Sequence, residues 1–339
     1  MSTLQRLEQG LNEVVPVQPT MARIRLLRLL ARYATVGVLA LMVVVFSIAS
    51  PHAFFTVSNL LNVLNQCSLT AIIAGGLTIT LIVGEFDLSI GYLSSMSVVL
   101  VAGLMSLQHL PVLVAVVLAI VAGGAVGGVN GTLVSVARIN AVIVTLGMGT
   151  ILEGVSYTYT NGSPIAAGLP NSFLNFAVDK VHGVPNLVIV SVVVLLVLWV
   201  IVRRTDLGQS LRAVGGNAEA ARLSGIPVDR IRLFAFVVSG ACAAITGILL
   251  SSLIGSGQLD AGNGYLLSAF AAVFLGSATL SDGEFHIVGT AIGVLILNTA
   301  INGLSIFGVP SSYQNIFTGS LLIVGVGFST VARRYLRGS

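Results

Sequence analysis

Ten long apolar runs dominate the chain, at 33–50, 59–83, 91–108, 110–136, 139–160, 184–202, 233–255, 265–281, 287–306 and 312–331. Each is near the roughly 20 apolar residues with which an α-helix crosses a bilayer. Polar residues and Pro gather in the short breaks between them. Two breaks are narrow: Gln108, His109 and Pro111 divide the third run from the fourth, and Ser281-Asp282-Gly283-Glu284 divides the eighth from the ninth. The pattern predicts an all-α polytopic membrane protein of about ten transmembrane helices. It predicts one transmembrane domain over 33–331, a polar N-terminal segment over 1–32 and a short tail over 332–339. The first run begins near Tyr33 behind an Arg-rich stretch and reads as an anchor that is kept, not a cleaved signal.

Charge adds orientation. Only 8 % of residues are charged and 55 % are hydrophobic, against about 25 % charged in soluble domains. Of sixteen Lys/Arg, five precede the first run, six fall between Arg203 and Arg232, three close the chain after Ala332, and Arg138 and Lys180 stand alone. Cytoplasmic loops hold the excess of Lys/Arg. With ten spans and the N-terminus inside, every cation except Lys180 lies on the cytoplasmic side. An odd number of spans would put the two Arg-rich termini on opposite sides. The basic balance does not point to nucleic acid, because the arginines are divided among the ends of apolar segments. Cys67 and Cys242 lie inside apolar runs and read as small buried residues.

An internal repeat is visible. Gly84-Glu85-Phe86-Asp87-Leu88-Ser89-Ile90-Gly91-Tyr92-Leu93 and Gly257-Gln258-Leu259-Asp260-Ala261-Gly262-Asn263-Gly264-Tyr265-Leu266 both read G-x-x-D-x-x-x-G-Y-L, at an offset of 173, and Asn130-Gly131 matches Asn302-Gly303 at 172. Gly123/Gly127, Gly124/Gly128 and Gly289/Gly293 give the fourth and ninth runs small-xxx-small faces suited to close helix packing. Halves five spans apart are inverted relative to each other, an arrangement common among transporters. The motif residues Gly84, Asp87, Gly91, Asp260 and Gly264 are assigned a structural role, with Asp87 and Asp260 capping helix starts.

The polar segment 203–232 contains a self-terminating helix. Asn217 is placed to cap it, Glu219 lies in its first turn and Arg222 near its last. Gly225 suits a left-handed C′ position, and Pro227 prevents continuation. So short a helix is marginal alone in water and implies something to dock on.

Gly215-Gly216-Asn217-Ala218-Glu219-Ala220-Ala221-Arg222-Leu223-Ser224-Gly225-Ile226 resembles the cytoplasmic coupling loop of the ribose/xylose-type ABC sugar importer permeases. Gly84 to Gly91 is similar to that family's G-G-I-D-L-S-V-G motif, and Asn140-Ala141-Val142-Ile143-Val144-Thr145-Leu146-Gly147 to its P-x-F-I-V-T-L-G segment. Two departures are Glu85-Phe86, where the family has Gly-Ile, and the charged turn Asp282-Gly283-Glu284-Phe285-His286. The resemblance implies a permease subunit of an ATP-binding cassette importer in the bacterial cytoplasmic (inner) membrane, carrying a ribose- or pentose-like monosaccharide inward by alternating access. It implies a second permease subunit, identical or related, a periplasmic sugar-binding protein and a cytoplasmic ATPase with two fused nucleotide-binding domains. Gly216, Asn217, Glu219, Ala220, Arg222, Leu223 and Gly225 would then couple to that ATPase.

No Walker A loop is present, since the only lysine, Lys180, follows Asp179. ATP and Mg are therefore expected on the partner, with no cofactor, metal or catalytic residue on this chain. Candidate pathway groups are Asn59, Asn62 and Gln66 on one face of the second run, and Asn298 and Asn302 in the ninth. These amides fit either a polar lining that passes sugar hydroxyls or bonds between helices, because an unpaired amide in lipid is costly. Glu153, an acidic residue within the fifth run, is a further candidate for a vestibule or gate. The competing functions are an ion-coupled secondary transporter and a channel, neither of which needs the docking helix.

Overall fold

The computed structural model describes residues 36–277 and 284–337. The expected segment 1–32, the start of the first run and most of the break at 281–284 lie outside the described residues. Each apolar run is occupied by a helix: α1 (Val36–Ala49), α2 (Val57–Ile82), α3 (Ile90–Ser106), α4 (Val112–Ser135), α5 (Ala141–Thr160), α7 (Asn186–Arg204), α10 (Val228–Ile254), α11 (Gly264–Ser277), α12 (Ile287–Ile306) and α13 (Ser311–Arg337). Six of them, α2, α4, α5, α7, α10 and α12, are long and apolar enough to cross a membrane; α1, α3 and α11 are apolar but shorter. The chain is an all-α polytopic membrane protein.

Two helices and a hairpin were not anticipated. A short helix α6 (Asn171–Val178) and a two-stranded hairpin, β1 (Lys180–Val181) with β2 (Val184–Pro185), fill the segment before α7. His182 (φ 52°) and Gly183 (φ 85°) form its two-residue turn, and positive φ at both positions matches the twist of paired strands. The segment 203–232 is not a loop around one helix. It holds α8 (Asp206–Gly216) and α9 (Ala218–Leu223), and α10 begins at Val228, so Arg230 and Arg232 belong to that helix. The expected tail is also helical as far as Arg337.

The most apolar long helices, α4 and α7, are the least covered by protein, while α2, α10 and α12 are mostly buried. That ordering is the reverse of a soluble protein and follows from lipid being the solvent. Packing at the centre depends on small residues. α10 lies along α4, α3 and α2. A side chain at Gly127 would run into the Phe236 carbonyl, and one at Gly123 into Gly240. The neighbouring Gly124 and Gly128 face Val237 at ordinary contact distance, so only one of the two overlapping stripes makes the close approach. Gly289 and Gly293 of α12 meet Gly276 and the Ala272 carbonyl of α11 in the same way.

α3 and α11 are both short because each is preceded by non-helical chain, 83–89 and 255–263, instead of helix. The N-terminal turns of the two helices meet. Gly91 packs on Asn263 and Leu266, the Ser95 hydroxyl donates to Asn263 Oδ1 (2.9 Å), and the Gly262 N–H donates to Ser95 Oγ (2.9 Å). The two copies of the repeated motif are thus neighbours in space.

Candidate functional site

A cavity of about 370 Å³ opens between α2, α10, α11 and α12. α2 contributes Asn62, Asn65, Gln66, Leu69 and Thr70, which recur at i, i+3, i+4, i+7 and i+8 and so share one helix face. Gly264, Tyr265 and Ser268 come from the first turns of α11, Leu253 from the end of α10 and Asn298 from α12. Four carboxamides, two hydroxyls and the Tyr265 ring surround the space, and among the described residues no charged side chain lines it. The Gln66 Nε2 approaches Asn62 Oδ1 at 3.5 Å, and Asn298 Nδ2 donates to the Val294 carbonyl (3.0 Å).

The two amide stripes read from the sequence divide here. Asn62, Gln66 and Asn298 line the cavity. Asn59 and Asn302 instead bond each other: Asn59 Nδ2 donates to Asn302 Oδ1 (3.0 Å) and Asn302 Nδ2 donates to Asn59 Oδ1 (3.1 Å). Asn59 also donates to the Phe54 carbonyl (3.0 Å), and its own N–H goes to the capping Thr56. This reciprocal pair pins α2 to α12 and leaves neither amide free. Glu153 is absent from the cavity wall and is exposed on α5. Asn65, Thr70, Tyr265 and Ser268 are lining groups the sequence reading missed. Asn65 carried a signal, since it lies three residues after Asn62 on the same face.

A second polar cluster is buried beneath α3. Asp87 is fully buried. Its Oδ1 accepts from the Ser89 N–H (3.1 Å) and hydroxyl (2.6 Å), and its Oδ2 from the Ser239 hydroxyl of α10 (2.8 Å). Asn130 Nδ2 of α4 donates to Ser89 Oγ (3.0 Å). The Ser89 N–H lies just ahead of α3, whose first turn receives no side-chain cap, so Asp87 closes a local turn before the helix instead of capping it as expected. Glu153 is not the only acidic group within the bundle. Asp260 behaves differently. It is exposed and takes side-chain donors, Tyr157 Oη (3.4 Å) and Asn263 Nδ2 (3.4 Å). Before α3, Glu85 in the connector forms an ion pair with Arg232 (3.1 Å). Burial raises the Glu85 carboxyl above its ordinary range, and the Arg232 charge opposes that rise.

On the opposite end of α2 lie α8 and α9. Asn217 Oδ1 accepts the N–H groups of Glu219 and Ala220, both at 3.0 Å. At the C-terminus the Gly225 N–H donates to the Arg222 carbonyl and the Ile226 N–H to the Ala221 carbonyl (both 3.0 Å), with Gly225 at φ 84°. This is the double closure that a left-handed C′ glycine permits. Ala221 is buried inward, while Gly216, Asn217, Glu219, Ala220, Arg222, Leu223 and Gly225 are exposed. Leu223 is 87 % exposed. Arg222 pairs with Asp229 at the start of α10 (3.0 Å). α8 is started by Thr205, whose Oγ1 accepts from the Gly208 N–H (3.3 Å), and it buries Leu211 and Val214. Gly215 of α8 sits directly on the Ile82 carbonyl at the end of α2, where a Cβ has no room.

Residues 59–326 match the family described as branched-chain amino acid transport system / permease component. The chain belongs to this permease family. Relatives include the ribose import permease protein of Escherichia coli (strain K12), 39 % identical over 291 residues that cover 85 % of this chain and 90 % of that one. The ribose import permease protein of Bacillus subtilis (strain 168) is 37 % identical over 289 residues, 85 % and 89 % of the two chains. The L-arabinose ABC transporter permease protein of Azospirillum brasilense is 31 % identical over 321 residues, 95 % and 94 % of the two. No solved structure matches the chain. The permease is a transport subunit, not an enzyme.

Proposed function

We propose that the permease is the membrane-spanning subunit of an ATP-binding cassette importer that moves a monosaccharide, ribose- or pentose-like, into the cytoplasm by alternating access. The observation that carries this reading is the likeness to ribose import permeases over 85 % of the chain. In this reading the chain crosses the membrane ten times as two inverted halves, with both termini cytoplasmic. It pairs with a second permease subunit, a copy of itself or a related chain. A periplasmic binding protein delivers sugar, and a separate ATPase with two fused nucleotide-binding domains holds ATP and Mg.

Residues 203–232 are the docking and coupling segment. Their support is geometric: α9 is capped at both ends, rests on Ala221 and exposes Leu223. α8 bears on the end of α2, whose other half carries the Asn62, Asn65 and Gln66 face of the cavity. A push on α9 and α8 therefore has a continuous helix through which to reach the polar cavity. Asp87, buried in a network that joins α3, α4 and α10, helps hold the bundle through which that helix runs.

Three experiments test the reading. In proteoliposomes holding the complete complex, sugar uptake should need ATP and binding protein and should persist with ionophores present. Uptake driven by an ion gradient without ATP would overturn it. Gly225→Pro and Glu219→Arg should abolish transport-linked ATP hydrolysis while membrane insertion stays intact; normal coupling in both removes α9 from the docking role. A membrane-impermeant reagent should fail to label a cysteine at position 217 or 222 in intact cells.

A further inference from the structure

The cavity has a chemistry more selective than a passage requires. Carboxamides donate and accept at once, as sugar hydroxyls do. Asn62, Asn65, Gln66 and Asn298 bring four of them to one space, with Tyr265 offering an apolar face. Asn59 and Asn302 show what amides do here when they serve structure: they bond each other in both directions. Asn65 does not. Its Oδ1 is buried and has no hydrogen-bond donor among the described residues. Buried polar atoms are nearly always partnered, and each exception calls for a reason. Asn65 itself forms part of the cavity wall, so a turn of its carboxamide toward the cavity would bring that oxygen to a solute hydroxyl, the donor it lacks in the closed orientation. A carboxylate, ammonium or phosphate would lose its hydration there without meeting an opposite charge. The volume, about 370 Å³, lies near the lower end of the roughly 300–1,000 Å³ typical of small-molecule pockets and suits one small solute.

We propose that this cavity is a solute subsite of the permease itself, for a single uncharged polyhydroxy molecule, with Asn65 as the residue that reads it. The proposal rests on the importer reading above and deepens it. Selection by charge and hydrogen bonding then occurs in the membrane as well as at the delivering partner.

The test uses the full chain in lipid nanodiscs and equilibrium dialysis against radiolabelled D-ribose, D-allose, L-arabinose, L-leucine and D-ribose 5-phosphate. Saturable binding of at least one neutral sugar is expected, with leucine and the phosphate bound at least about tenfold more weakly, the scale of one well-made hydrogen bond. Asn65→Leu should weaken sugar binding about tenfold. Asn65→Asp keeps the side-chain shape, guards against misfolding of the first variant, and should also bind the sugar more weakly at pH 7. No saturable sugar binding, equal binding of leucine or the phosphate, or wild-type binding by folded Asn65 variants overturns the subsite. Uptake by the complete complex separates the two ideas. Sugar import unaffected by Asn65→Leu sinks the subsite alone, whereas ATP-driven import of leucine but no sugar sinks the importer reading.

Discussion

The two copies of G-x-x-D-x-x-x-G-Y-L share a sequence pattern and a path from non-helical chain into a helix, yet one is sealed and the other open. In the first, Asp87 is buried among Ser89 and Ser239, and Gly91 is pressed on Asn263 and Leu266. In the second, Asp260 is exposed, and Gly264 has open space beside it and lines the cavity. The leading glycines differ too. Gly84 is needed for its φ of 87°, whereas Gly257 is needed because Ala102 and Ile165 crowd it. A repeat therefore preserves the chain path more than the job of each side chain. On the inverted-halves reading, this asymmetry is what one access state of a two-sided machine should look like.

Removing the buried carboxylate should have the largest effect. Asp87→Ala strands the Ser89 and Ser239 donors and should lower stability by about 3 kcal/mol, while Asp260→Ala should cost less than about 1 kcal/mol. Detergent-solubilised unfolding curves measure both, and equal losses would break the comparison. Next come the glycines. Gly91→Ala forces a methyl against Leu266 and should cost about 1–3 kcal/mol, whereas Gly264→Ala should stay within about 0.5 kcal/mol in the same assay. The smallest expected effect sharpens the open side. A double-mutant cycle on Asn59 and Asn302 should give a coupling of about 1 kcal/mol, and Asn62→Leu should leave stability unchanged but reduce uptake. Unchanged transport by Asn62→Leu would remove it from the lining.

The helices were legible because lipid demands long apolar runs, and the ends of α9 were legible because Asn217 and Gly225 are local signals. α8 was hidden. Gly208, Gly215 and Gly216 lower its propensity, and what forms it is the Thr205 cap and the burial of Leu211 and Val214, a tertiary effect. The amides show the same divide. Periodicity put Asn59, Asn62 and Gln66 on one face, but nothing local says that Asn59 finds Asn302 across 243 residues while Asn62 faces a cavity. Asn65 was within reach of the same periodicity at i+3. The meeting of Gly91 with Asn263 depends on how the non-helical segments 83–89 and 255–263 turn the chain back, a tertiary path that no local signal prescribes.

The contact of Gly215 with the Ile82 carbonyl has a mechanical consequence. Side chains at a joint act as springs, bending through their rotamers before the backbone moves. Here backbone meets backbone, so the joint has little slack. Any displacement of α8 toward α2 passes into a stiff rod of 26 residues, about 39 Å long at 1.5 Å per residue. Fitting so much as a methyl group at position 215 would act as a shim, shifting the rest position of the rod before any stroke begins.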